Sequence, residues 1–200
     1  LEYFRSCYKA SEAAQQYATN RWSTKSIDTF SIGYAPRKGG LLDYCLKKGY
    51  KSNVLLQAGL VKKSETDGTL YDTFRDRIMF PIVNRTGNIV GFTGRYLGAK
   101  KEVAKYLNTG ETELFKKSEI LFGINLSLRQ ITTSGTVILV EGNPDVVRLH
   151  EIGVQNAVAP MGTALTKEQM DIIKRYARTV ILIGDTDAAG VKAVVKHGED

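Results

Sequence analysis

The sequence predicts an α/β protein in two parts, an α+β front followed by a parallel-sheet α/β back. Three observations carry that reading. Two continuous apolar runs in the last third, Val137–Val140 and Val180–Ile183, are strand-sized and rich in β-branched residues, as strands buried on both faces are. Stretches with helical spacing alternate with them, and strand alternating with helix means a parallel sheet with right-handed crossovers. Finally, the charge changes sign near residue 134. Residues 1–134 carry 21 basic and 12 acidic side chains, whereas residues 135–200 carry 7 and 9.

The front begins with helical spacing over Leu1–Thr19. Ser26–Phe30 and Gly40–Lys48 read as short helices, and Gly33-Tyr34-Ala35-Pro36 breaks the helical pattern between them. Lys47-Lys48-Gly49 resembles a helix end. Thr66-Asp67-Gly68-Thr69 is a turn signal. The β-rich runs Arg77–Val83 and Asn88–Thr93 then flank Asn84-Arg85-Thr86-Gly87, which predicts a β-hairpin with Arg75, Arg77 and Arg95 around it. Lys100–Asn108 and Phe115–Ser118 form a further basic stretch without clear periodicity.

In the back third, Thr136–Val140 is a strand and Pro144–Glu151 a helix with proline in its first turn. Val154–Ala159 is a second strand. Thr166–Tyr176 is a helix that Thr166 caps, with Glu168 and Gln169 nearby. Thr179–Ile183 is a third strand and Ala188–His197 a third helix. These features place a basic subdomain at 1–134 and a sheet domain at 135–200.

Ligands of such sheets bind beyond the carboxyl ends of the strands. Glu141-Gly142 follows directly on Thr136–Val140, with Asp145 four residues after Glu141. Asp185-Thr186-Asp187 follows Thr179–Ile183. If the two strands are neighbours, Glu141, Asp185 and Asp187 converge at one edge. Carboxylate oxygens offered singly suit Mg²⁺ or Mn²⁺. Two such ions about 4 Å apart could activate a hydroxyl and steady a leaving oxygen. Alone, a D-x-D is a weak signal and Asp145 better suits a helix N-terminus than a site. The two clusters together, each after a buried strand, point to a metal site.

Other classes are less well served. No apolar run approaches the ~18 residues of a membrane span, and the first residues carry no secretory signal. Cys7 and Cys45 lie far apart with no His cluster, which argues against zinc in this stretch and fits a reducing, cytoplasmic setting. A basic front joined to an acidic back suits a polyanion held by one part and divalent cations by the other. A soluble protein with a merely basic bias would give the same totals.

The motifs themselves resemble a known family. Val140-Glu141-Gly142-Asn143-Pro144-Asp145-Val146, Asn156 through Thr166, and Gly184-Asp185-Thr186-Asp187-Ala188-Ala189-Gly190 are similar to the Toprim domain of bacterial DnaG-type primases. Toprim domains also occur in topoisomerases, OLD-type nucleases and recombination mediators, so a Toprim nuclease or topoisomerase relative stays open on these motifs alone. Tyr71 through Ile82, Gly91-Phe92-Thr93-Gly94-Arg95, Lys105 through Thr112, Phe115-Lys116-Lys117-Ser118 and Leu121-Phe122-Gly123 resemble, in order, the basic N-terminal part of the primase core.

The resemblance implies DNA-templated synthesis of short RNA primers from ribonucleoside triphosphates. It implies Glu141 as the essential acid, Asp185 and Asp187 as metal holders, and Asp145 as their support. Arg75, Arg77, Arg95, Lys105, Asn108 and Lys117 would contact template or nucleotide phosphates, with two or three of them dispensable. The family's zinc-binding N-terminal domain and its helicase-binding C-terminal domain would lie outside this segment, so a replicative helicase is a partner only through the latter. A segment without them could be a non-catalytic single-stranded-DNA-binding piece. Asn143-Pro144 and Thr186 depart from the usual pattern and point to a divergent branch.

Overall fold

The computed structural model describes residues 1–162 and 165–184. Its contacts divide the chain into two units, residues 1–82 with 90–115, and residues 83–89 with 116–200. The expected boundary near 134 falls inside the second of these.

The first unit opens with two helices, α1 (Glu2–Lys9) and α2 (Glu12–Thr19), where the helical spacing alone suggested one. Ser11 makes the break, its hydroxyl accepting from Ala14 N at 3.3 Å as the cap of α2. α3 (Thr24–Thr29) starts in the same way at Ser23. Gly33–Ala35, expected only to interrupt helix, is strand β1 and pairs antiparallel with β4 (Arg77–Val83). Three residues carry no readable period, which is why the pattern hid it.

Helices α4 (Leu41–Lys47) and α5 (Ser52–Gln57) follow, then a small ribbon of β2 (Val61–Lys63) and β3 (Leu70–Asp72) around the expected turn. β4 and β5 (Ile89–Tyr96) form the expected hairpin, and β6 (Tyr106–Asn108) completes a four-stranded sheet in the order β1-β4-β5-β6. At the hairpin turn Asn84 Oδ1 accepts from Thr86 N at 3.0 Å and Asn88 N at 2.9 Å.

Both faces of this sheet are covered. Phe4 of α1 meets Phe92 edge-on with centroids 5.1 Å apart, in a core that includes Met79 and Phe74. Trp22, just after α2, packs edge-on against Phe80 at 5.7 Å. Met79 and Phe80 are consecutive on β4 and therefore point to opposite faces.

The second unit holds a 3₁₀ turn (Lys117–Glu119), β7 (Leu121–Phe122), α6 (Ile124–Ser134), β8 (Thr136–Val140), α7 (Asn143–Glu151), β9 (Ala157–Pro160), α8 (Lys167–Lys174) and β10 (Thr179–Ile183). β10, β8 and β9 run parallel as expected, whereas β7 adds an antiparallel edge, giving the order β10-β8-β9-β7. α6 was not expected, because its polar Thr-Thr-Ser end masks the apolar stripe of Ile124 and Ile131. β8 is largely buried, while Val180, Ile181 and Ile183 of β10 are each at least a third exposed. The anticipated helix Ala188–His197 lies outside the described residues.

Candidate functional site

β8 ends at Val140, whose register partner on the parallel neighbour is Ile183, the last residue of β10. The two strands are thus adjacent and finish side by side. That was the condition for the acidic clusters to share an edge. Glu141 leaves β8 at this edge and is exposed. Gly142 then serves as the N-cap of α7, Pro144 sits in its first turn, and Asp145 is the acidic residue of that turn.

A Cβ added to Gly142 would lie 2.7 Å from Asp145 Oδ2. The Asp145 carboxylate therefore covers the Gly142 backbone, and any side chain there would displace it. Asp185 and Asp187 lie outside the described residues. Among the described residues no three His, Cys, Asp or Glu side chains cluster closely enough to hold a metal. Glu141 and Asp145 are nonetheless hard oxygen donors at a strand's carboxyl end, a donor set that fits Mg²⁺ or Mn²⁺ once further oxygens join it.

The five phosphate-contact candidates of the first unit do not share one surface. Arg95 on β5 is paired with Tyr106, and Thr93 with Asn108, so Arg95 and Asn108 lie on one face of the sheet. Arg77 lies on the other, against Gly94, where an added Cβ would meet Arg77 Cδ at 2.8 Å. Arg77 is buried, and its Nη1 donates to the carbonyls of Gly94 and Ala104 at 3.0 Å each, with Lys105 O at 3.4 Å. Arg75 and Lys105 are exposed, Arg75 beside the ring of Tyr71 and Lys105 beside that of Tyr106. Lys117 is exposed in the second unit, at the start of the 3₁₀ turn.

Several residues that the sequence reading passed over position these groups. Asp76, between Arg75 and Arg77, holds a left-handed φ of 53° and accepts from Tyr34 Oη at 3.1 Å. Burial, with Asp76 beside it, pushes the Tyr34 phenol up to about 12. The left-handed residue interrupts the extended backbone between Arg75, which is exposed, and Arg77, which is buried. Asp72 accepts from the backbone N–H groups of Gly40, Leu41 and Leu42 at 2.6, 2.8 and 2.9 Å, capping α4 from a strand 30 residues away in sequence.

Gln169 completes the expected capping box with Thr166 and also donates from Nε2 to Lys117 O at 2.9 Å and Ile120 O at 2.8 Å. It thereby fixes the backbone that carries Lys117. The tertiary caps had no local signal, since their partners are far apart in the chain.

The family model for the N-terminal domain of the DNA primase catalytic core matches residues 3–128. The chain belongs to the DnaG primase family. A Toprim model matches residues 135–199, leaving between the two a gap that contains residue 134.

The DNA primase of Deinococcus radiodurans is 41% identical over 198 residues, 98% of this chain but 34% of that protein. The chain thus spans about a third of the length of this curated relative. The crystal structure of the Aquifex aeolicus primase zinc-binding and RNA polymerase domains superposes with a TM-score of 0.90 at 32% identity, covering 98% of this chain and 48% of that one. A DnaG primase catalytic domain bound to single-stranded DNA superposes at 0.83 and 32% identity, covering 98% and 62%. With the primase front matched, the nuclease and topoisomerase alternatives left open by the Toprim motifs fall away. No helix among the described residues is long and apolar enough to cross a membrane.

Proposed function

We propose that this chain contributes the basic front (1–134) and the leading part of the Toprim domain (135–200) to an enzyme that makes RNA primers on single-stranded DNA. The observation that carries the reading is the paired ending of β8 and β10, with Glu141 emerging there, in a chain matching the primase core over 3–128. Ribonucleoside triphosphates are the substrates and the cytoplasm is the setting. A replicative helicase is a partner of the whole enzyme.

Glu141 holds the metal or takes the proton of the priming hydroxyl, which attacks the α-phosphate of the incoming nucleotide as pyrophosphate leaves. Asp145 supports Glu141 from the first turn of α7, and Asp185 and Asp187 complete the acidic set. Bound Mg²⁺ or Mn²⁺ supplies positive charge for the attacking and leaving oxygens. Arg75, Arg95, Lys105, Asn108 and Lys117 contact phosphates of the template or of the incoming nucleotide. Arg77 acts instead from within the core.

Glu141→Gln tests the reading in the intact enzyme. Glutamine keeps the shape and one acceptor oxygen but removes the charge. Primer synthesis from labelled ribonucleotides should fall by at least ~100-fold, with melting temperature and single-stranded-DNA affinity unchanged. Full primer yield from a folded Glu141→Gln enzyme would remove the assignment.

A further inference from the structure

We propose that Arg21, coupled to Arg95 through the ring of Tyr17, is a second phosphate-binding residue on the face that Arg95 occupies. The proposal rests on the reading above that the front of the chain binds single-stranded DNA. Arg21 Cζ lies 3.8 Å from the Tyr17 ring centroid and Arg95 Cζ lies 4.9 Å from the same centroid. Two cations from different elements, one following α2 and one on β5, therefore share a single aromatic ring.

Neither guanidinium forms an ion pair with a carboxylate among the described residues. Two like charges brought together repel, and exposed cation–π contacts return only about 0.5–1 kcal/mol each. An arrangement that keeps the cations close and leaves them without an anion suits a polyanion from outside.

The remaining geometry agrees. Stacking occupies the flat faces of a guanidinium and leaves its N–H edge free, the edge that grips phosphate in a fork. Arg21 spends Nη1 on Tyr17 O at 3.1 Å, and its side chain is otherwise exposed. The Arg95 side chain makes no hydrogen bond among the described residues. Tyr17 Oη is buried and has no hydrogen-bond partner among the described residues, so no bond of its own to them fixes the ring. The two guanidiniums hold the ring, and the ring holds them. Tyr17 is thus a positioning residue, and Arg21 and Arg95 are the phosphate contacts.

Anisotropy of a fluorescein-labelled single-stranded DNA, titrated with the full chain between about 50 and 200 mM salt, tests this. Each phosphate contact on single strands contributes roughly −0.7 to the slope of log affinity against log salt. Arg21→Gln should reduce the slope by about 0.7 and weaken binding about fivefold near 0.1 M salt, without changing the melting curve. Arg95→Gln should do the same.

Lys25→Gln, which removes an exposed charge close in sequence but off the ring, should leave the slope unchanged. Tyr17→Phe should behave as the parent. Tyr17→Leu keeps both charges but loses the stack, and should weaken binding while Arg21→Gln added to it costs less than it does alone. Loss of slope in Arg95→Gln but not in Arg21→Gln would overturn the proposal and leave DNA binding by the front intact. Equal losses in Lys25→Gln and Arg21→Gln would also overturn it, since the effect would then be one of general charge. No loss in either arginine variant would overturn both this proposal and the reading it rests on.

Discussion

Replacing Arg77 by methionine separates a core arginine from a DNA-contacting one. Methionine matches much of the stem and keeps the contact with the Gly94 backbone, but it cannot donate. The two carbonyls that Nη1 serves at 3.0 Å, Gly94 O and Ala104 O, lose a charged donor. Hydrogen bonds to a charged group contribute about 1.5–3 kcal/mol each. Burying the guanidinium has its own cost, and burial holds the Arg77 guanidinium below its ordinary pKa, so the net loss is smaller than the sum.

About 3 kcal/mol is expected, which for a chain of this size lowers the melting temperature by roughly 6–12 °C. The loop between β5 and β6 should lose hydrogen-exchange protection first, because Ala104 and Lys105 are anchored there. No outward charge disappears, so the salt slope of single-stranded-DNA binding should stay at the parental value. Scanning calorimetry with the anisotropy titration decides the matter. Unchanged melting with a slope reduced by about 0.7 would refute the core role and return Arg77 to the phosphate contacts.

Two other perturbations follow from the same contacts. Asp72→Ala removes an acceptor shared by three backbone N–H groups, and should cost about 2 kcal/mol by urea unfolding, with α4 fraying first in hydrogen exchange; a loss below ~0.5 kcal/mol would show that water replaces the carboxylate. His150, whose Nε2 lies 3.0 Å from Ser127 Oγ and 3.1 Å from Ala157 O, is pushed below its usual 6.5 by burial, so the unfolded chain takes up the proton first. The stability that it contributes is present above pH 6.5 and lost as pH falls below that value, and a His150→Leu variant should lack this part of the acid sensitivity in pH-dependent melting.

What the sequence revealed was short-range. The β4–β5 hairpin was legible because Asn84 through Gly87 supplies turn chemistry between two β-rich runs. The α8 cap was legible because Thr166 and Gln169 stand three residues apart. β8 and β10 showed as unbroken apolar runs, and the step from them to an acidic edge needed only the rule about strand ends. β1, β7 and the Asp72 cap were hidden for one shared reason. Each depends on a partner 30 or more residues away, and two or three residues have no period to read.

The arginines show where motif reading stops. Arg75 and Arg77 are two residues apart in one basic stretch, and charge or resemblance treats them alike. Strand alternation alone would even put them on one face. The structure parts them because Asp76 takes a left-handed conformation, braced by Tyr34 from β1, so that Arg75 ends outside and exposed while Arg77 enters behind Gly94. Arg21 is the converse case. It stands outside every basic motif, 74 residues from Arg95, yet the Tyr17 ring brings the two together. Which cations share a surface is therefore decided by backbone conformation and aromatic support as much as by the count of positive charges, and can be read only after the chain has been followed through the fold.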